Sequence, residues 1–251
     1  MADRADGRAR SLSQLSPDPS RGLFETLLIV RGRPIELDAH LDRLAASVAQ
    51  VFGAALPPLA LDVDRAARGM DLGRLRVQVG PEGGQLRCRA SAEEVDPAIV
   101  FPDHEGGADL RSVEAGDWSG AHKWSDRRWL ERVEERLGDQ VPLLIGAEGN
   151  ALEAGRANVF VVVGGVVATP PADGRILPGT GRAATLRLAR ELEIQVDERC
   201  LPLADLGHSD EVFLASSIRG IRPARSLDGA ELASGPTTAR LASELRRRWL
   251  G

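Results

Sequence analysis

Short apolar runs of strand character alternate along this chain with stretches of helical period, without a strict strand–helix–strand rhythm. Such a pattern predicts an α+β protein of two domains with a cleft between them. GLFETLLIVRGRP reads as an apolar strand closed by a Gly-Arg-Pro turn. From Asp38 onward Leu41, Leu44, Val48 and Val51 recur on one face, which predicts an amphipathic helix with Asp38 as N-cap. A short helix around Val63–Met70 follows, then two strands in RLRVQVGPEGGQLRCRA joined by a glycine-rich turn. The loop-rich stretch 96–120, with room for one strand, sets the expected boundary, giving domains 22–115 and 116–251. Beyond it SDRRWLERVEERLG is helical, with Trp129, Val133 and Leu137 on one stripe, and ANVFVVVGGVVATPP is a hairpin turned at Gly164-Gly165. GTGRAATLRLARELE is a helix, IQVDERCL and DLGHSDEVFLASS are strands, and Thr237–Trp249 is a final helix. Residues 1–21 have no apolar period and are expected to lack order.

A net charge of -5 and a pI near 5.5 carry no basic footprint for nucleic acid. No apolar run approaches a membrane span, and none follows a basic start as a signal peptide would. Cys88 and Cys200 lie far apart and make neither a CxxC nor a disulfide framework. These features point to a cytoplasmic protein without nucleic-acid or membrane partners. HExxH, a Walker lysine motif, GxSxG and metal-type Cys/His spacings are all missing, so no metal site is expected. His40, His104, His122 and His208 are scattered and read as capping or core residues; only His122 stands out, as the neighbour of Lys123.

The 32 basic side chains comprise one lysine, Lys123, and 31 arginines, and there is no tyrosine. Arginine keeps its proton at neutral pH and cannot act as an amine nucleophile. Lys123 is therefore either a chance survivor in an arginine-rich background or the nitrogen that does chemistry, and composition leaves both open. Gly179–Ala184 matches GxGxxA, with Asp197 further on. A dinucleotide fingerprint needs a buried strand running into its first glycine, whereas the polar loop PPADGRILP precedes this one, so NAD is not expected. What remains is a helix start whose glycines let backbone N–H groups approach an anion such as a phosphate.

Gly22–Thr26, Asp38–Leu44 with His40 and Arg43, Lys123–Arg127, Glu153–Phe160, Thr169-Pro170, Leu177–Gly179, Arg182 and Glu211–Leu214 follow one another in a fixed order between about Gly22 and Gly229. As an ordered set these segments resemble the class IV aminotransferases, the fold-type IV pyridoxal-phosphate enzymes. The resemblance implies a two-domain α+β fold of the D-amino acid aminotransferase type, with pyridoxal 5'-phosphate in the interdomain cleft, and a homodimer acting on a small amino substrate. It implies that Lys123 carries the cofactor, Arg43 holds its phosphate, Thr180 and Gly181 offer backbone N–H groups and Ser217 a hydroxyl. Glu153 would face the pyridine nitrogen and keep it protonated, so that the ring can take up electrons. Taken singly, Arg43 also reads as a solvated helix residue, Glu153 as a loop acid and Ser217 as a turn residue. The chain departs from the family in two places. Polar DPSRG stands where a first strand usually runs, and Arg127 or Arg128 occupies the neighbourhood of a tyrosine many members carry.

Within this family, Thr26 after Glu25 and the stretch Ser216–Pro223 are similar to 4-amino-4-deoxychorismate lyases, which form 4-aminobenzoate and pyruvate in folate synthesis. By that resemblance Thr26 relays a proton, and Arg219 and Arg76 meet a substrate carboxylate. Arg74 shares a strand face with Arg76, and the two also read as a solvated face. Three readings stay open: the lyase, a transaminase of branched-chain or D-amino acids, and a nucleotide-binding protein that uses GTGRAA without lysine chemistry.

Overall fold

The computed structural model describes residues 16–251 except His104 and Asp117. Most of the segment expected to lack order lies outside the described residues. Its end carries a 3-10 turn at Pro19–Arg21, capped by Asp18, whose side chain accepts the Ser20 N–H.

Strand β1 (Leu23–Val30) is buried on both faces. Alternation sends Leu23, Leu27 and Ile29 to one side and Leu28 and Val30 to the other, where they enter different cores. β1 pairs antiparallel with β2 (Arg33–Pro34) and β3 (Leu72–Glu82), and β3 with β4 (Gln85–Glu94), in the order β2-β1-β3-β4. Helices α1 (Leu37–Phe52) and α2 (Ala60–Ala67) close this small sheet over Leu27, Leu44, Val48, Val63, Leu75 and Val77. Asp38, the expected N-cap, sits instead in the first turn. The chain leaves β2 through Glu36 in the left-handed region (φ 53°), and the Glu36 carbonyl takes the His40 N–H. α2 also starts earlier than expected and ends before Gly69, whose φ of 77° is incompatible with continuing the helix.

The expected boundary at 115/116 is displaced. β5 (Ala108–Gly116) runs parallel to β6 (Val141–Gly146) and to β13 (Gly220–Leu227) inside a second, ten-stranded sheet, so the sheets change between Glu94 and Ala108. β6 and its partner β7 (Asn150–Ala154) have no counterpart among the sequence expectations; α3 (Arg128–Leu137) leads into them. The hairpin of β8 (Asn158–Val163) and β9 (Val166–Thr169) turns at Gly164-Gly165 as expected.

IQVDERCL, expected as one strand, is broken in two. β10 (Val196–Glu198) runs parallel to β9, and β11 (Leu201–Pro202) antiparallel to β7. The short helix α5 (Leu203–Leu206) leads to β12 (Glu211–Ser216), and the strand order is β10-β9-β8-β12-β13-β5-β6-β7-β11, with β14 (Ala230–Glu231) paired to β13 off this path as the tenth strand. Its two ends are joined by Arg199 and Cys200 alone, which span at most about 11 Å. The sheet must therefore curl until its ends meet. Leu110, Leu143, Val159, Val161, Val212 and Leu214 fill the inside of that curl. Outside it, Phe160 and Phe213 stack at 4.9 Å beneath α4 (Thr180–Glu191) and α6 (Pro236–Leu250), in one cluster with Leu28 and Val30 of β1. β1 thus serves both cores and forms one wall of the cleft between them.

Candidate active site

Lys123 stands in a loop stitched to β1: its carbonyl accepts the Phe24 N–H at 3.0 Å, and the Ser125 N–H reaches the Gly22 carbonyl at 2.9 Å. That seam requires glycine at position 22, where φ is 80° and a Cβ would approach the Val79 oxygen to 2.1 Å. The lysine lines a cleft of about 840 Å³ that opens to solvent. Its Nζ lies 5.0 Å from the centre of the Phe24 ring and has no hydrogen-bond partner among the described residues. Burial, helped by the Arg43 charge, brings its pKa from 10.5 to about 7, so a free amine is available near neutrality.

One wall of the cleft is a closed polar network. Glu25 projects from the otherwise apolar face of β1 and is 1% exposed. Arg43 grips it with Nε and Nη2, at 2.8 and 2.5 Å, and donates Nη1 to the Pro178 carbonyl. Burial would raise the Glu25 pKa, but Arg43 and the hydrogen bonds from His40 and Arg43 override it and hold the carboxyl at about 2. Burial lowers the His40 pKa. A neutral ring then donates Nδ1–H to Glu25 (2.7 Å) and accepts the Thr180 hydroxyl at Nε2 (2.9 Å), a tautomer assigned from these partners. The Thr180 hydroxyl is thereby committed, and what α4 presents to the cleft is the backbone N–H of Thr180 and Gly181, for which the helix has no acceptor of its own. Gly181 packs so close to Ser216 that a Cβ would come within 2.7 Å of its backbone. Ser217 also lines the cleft, but its hydroxyl donates to the Thr26 carbonyl at 2.7 Å and ties the two sheets together.

Glu153 is buried in the lining of the cleft. One oxygen accepts the Trp118 indole N–H (2.9 Å) and the other the Leu177 backbone N–H (3.0 Å). Burial raises its pKa against the pull of these two donors. The residues assigned to substrate divide differently. Thr26 pairs with Arg76 across β1 and β3 but stands outside the residues that line the cleft. The Arg76 guanidinium lies 4.0 Å above the Phe24 ring. Arg74 faces solvent and pairs with Glu93. Arg219 is half-buried in the turn between β12 and β13. Of the two arginines near the expected tyrosine, Arg127 turns inward to line the cleft while Arg128 points out and pairs with Asp126.

Sequence reasoning gave no role in the site to Glu25, Phe24 or Trp118, and read His40 only as a capping or core residue. For Glu25 and His40 a signal was present. A carboxylate in the series Leu23, Glu25, Leu27 and a histidine in the series His40, Leu44, Val48 each break an apolar face, and buried polar groups on facing elements need one another. Trp118 follows from no local pattern.

The site fits a phosphorylated pyridine aldehyde: an unpartnered amine, helix-terminal N–H groups beside an arginine, and a buried carboxylate line one cleft. Among the described residues no group of His, Cys, Asp or Glu could hold a metal ion, and no helix is long and apolar enough to cross a membrane. The profile of the amino-transferase class IV family matches residues 22–227. A probable branched-chain-amino-acid aminotransferase of Thermotoga maritima is 28% identical, the match covering 99% of this chain and 96% of that protein. A Mycobacterium tuberculosis protein named as a bifunctional aminodeoxychorismate lyase and D-amino acid transaminase is 29% identical over 86% of this chain and 84% of its own length. In three dimensions, the PMP- and α-ketoglutarate-bound form of a hypothetical aminotransferase from Mycobacterium tuberculosis superposes with a TM-score of 0.81 at 24% identity, covering 89% of this chain and 87% of that one. The chain belongs to the class IV aminotransferase family, whose enzymes depend on pyridoxal phosphate. That membership overturns the reading of GTGRAA as a nucleotide site without lysine chemistry.

Proposed function

We propose that this class IV enzyme is an aminotransferase that moves the amino group of a small amino acid to a 2-oxo acid. The observation that carries the reading is Lys123: an unpartnered amine with a pKa near 7, in the same cleft as a buried carboxylate and a helix N-terminus. Pyridoxal phosphate, when bound, supplies the carbonyl that captures an amine and the ring that takes up electrons from the α carbon. Lys123 carries it and moves the proton at that carbon. The Thr180 and Gly181 N–H groups and the remaining donors of Arg43 hold phosphate. Glu153 keeps a proton at the ring nitrogen, and Trp118 with Leu177 fixes the carboxylate that does so.

Transfer rather than elimination is favoured by the relatives, several of which bear the names of transaminases. The second reading, 4-amino-4-deoxychorismate lyase, is supported by Thr26 after Glu25 and by the relative whose name carries both activities. The test is where the nitrogen goes. With leucine or D-alanine and 2-oxoglutarate, the loaded protein should produce glutamate over many turnovers. Release of pyruvate and 4-aminobenzoate from aminodeoxychorismate, without any 2-oxo acid and without glutamate from the amino acids, would replace the first reading by the second.

A further inference from the structure

Lys123 and Arg43 stand on segments of the chain far apart in sequence, one in a loop and the other on α1. On its C-terminal side the lysine is tied to β1 through its own carbonyl and the Ser125 N–H. On its N-terminal side, across Gly120–His122, a single hydrogen bond among the described residues reaches another element. His122 Nδ1 and the Ser47 hydroxyl lie 3.1 Å apart, and either can donate. Ser47 is buried on α1, one turn beyond Arg43 and two beyond His40, so the three share a face of the helix. Neither the Ser47 hydroxyl nor the His122 ring has another hydrogen-bond partner among the described residues. The ring is also braced by Trp124, edge-on at 5.5 Å, and Trp124 packs against the core of the small sheet. The Trp124 N–H returns to the His122 carbonyl at 3.2 Å, so Lys123 occupies the middle of a closed three-residue turn.

A rigid ligand held at one end by Arg43 and α4 and at the other by Lys123 needs those anchors at one separation, and a shift of about 1 Å is enough to spoil such a fit. Burial lowers the His122 pKa, so its ring is neutral near pH 7 and adds no charge beside the lysine. The charges that act on the amine are Arg43 and Arg127, against Glu25 and Glu153. His122 therefore acts by geometry. We infer that His122 is a positioning residue: through Ser47 it locks the lysine turn to the helix that carries Arg43, and so holds the Lys123 amine inside the cleft at the distance the cofactor requires. The inference rests on Lys123 as the lysine that carries the cofactor, and not on which reaction follows.

Two measurements test this role. In apo-protein, acetylation of Lys123 by acetic anhydride over a series of pH values, read by mass spectrometry of its peptide, gives the midpoint at which the amine becomes free, about 7 in the parent. Fluorescence titration with pyridoxal phosphate gives the affinity for the cofactor. Ser47→Ala removes the hydrogen bond and leaves the ring, whereas His122→Ala removes both. Each should move the midpoint upwards towards the ordinary 10.5, as the amine relaxes into water. Each should also weaken cofactor binding by about twofold to tenfold, the change that one hydrogen bond produces. His122→Asn, whose amide can reach Ser47 from the place of Nδ1, should restore most of both. A role in packing alone would lower the melting temperature and leave the midpoint where it is. The inference is overturned if Ser47→Ala keeps either the midpoint or the affinity of the parent, whether or not the His122 variants fold, and equally if His122→Asn behaves as His122→Ala does. Failure of the cofactor-lysine reading looks different: borohydride would then leave no pyridoxyl adduct on Lys123 in the parent.

Discussion

The two walls of the cleft treat buried charge in opposite ways. On the wall built by α1, β1 and α4, Glu25, Arg43, His40 and Thr180 satisfy one another in a closed chain. On the wall built by the lysine loop, β3 and the start of α3, Lys123, Arg76 and Arg127 crowd one aromatic ring with no acid among them. A closed network holds its protonation state and geometry whether or not a ligand is present. An open one is costly in the empty protein and is completed by what binds there. The first wall is scaffold for an anion site, and the second is where reacting groups are received.

The strongest test of this contrast is Lys123→Ala, which should abolish turnover, since no other lysine exists to replace it. Mass spectrometry of the borohydride-treated parent should find the pyridoxyl adduct on the peptide bearing Lys123. The cost of the open wall can also be read directly. The Lys123 pKa is about 7 folded against 10.5 ordinarily, so between those values the unfolded chain binds the extra proton. The destabilisation is fully present below pH 7, and the apo-protein should gain stability as pH rises through that window. In Lys123→Met that gain should flatten, as urea titrations at pH 6, 8 and 10 would reveal.

Glu25→Gln opens the closed wall. It leaves Arg43 and His40 without their carboxylate and should cost about 3–5 kcal/mol of stability in urea denaturation. In the parent, the depressed Glu25 pKa contributes stability that is present above pH 4.5 and lost as pH falls towards 2. Arg43→Gln acts on the same wall through the ligand. It should weaken cofactor binding by about tenfold to a hundredfold, measured by fluorescence titration with pyridoxal phosphate. Unchanged affinity would assign the phosphate elsewhere and erase the distinction between the walls. The smallest effect is expected for Trp118→Phe, which removes one hydrogen bond to Glu153, worth about 0.5–1.5 kcal/mol. It should raise the Glu153 pKa further, because the lost donor favours the ionised form. An upward shift of the acid limb in the rate profile would show it, and an unmoved limb would make Trp118 a packing residue only.

How much of this was legible beforehand depended on range. The amphipathic period of α1, the glycine turns between β3 and β4 and between β8 and β9, and the helices α4 and α6 are recorded within a dozen neighbouring residues, and all appear near their expected places. β5 falls where room for one strand was expected, but its place in the second sheet was hidden because its partners are β6 and β13, and β13 lies more than a hundred residues away. IQVDERCL was read as one strand because its composition is continuous, whereas Arg199 and Cys200 carry the chain from one end of a curled sheet to the other.

The sequence by itself determined the family, through ordered fragments from Gly22 to Glu211, and singled out Lys123, because an arginine-rich chain with one lysine has one candidate amine. Both are properties of residue identity and order, which no fold can alter. Tertiary structure alone decided the electrostatic character of each group. Arg43 and Arg127 are the same side chain, yet one meets a buried carboxylate and the other an aromatic ring and a single carbonyl. What a guanidinium is ready to bind depends on which of its N–H groups are already taken, and only the packing of β1, α1 and the lysine loop settles that.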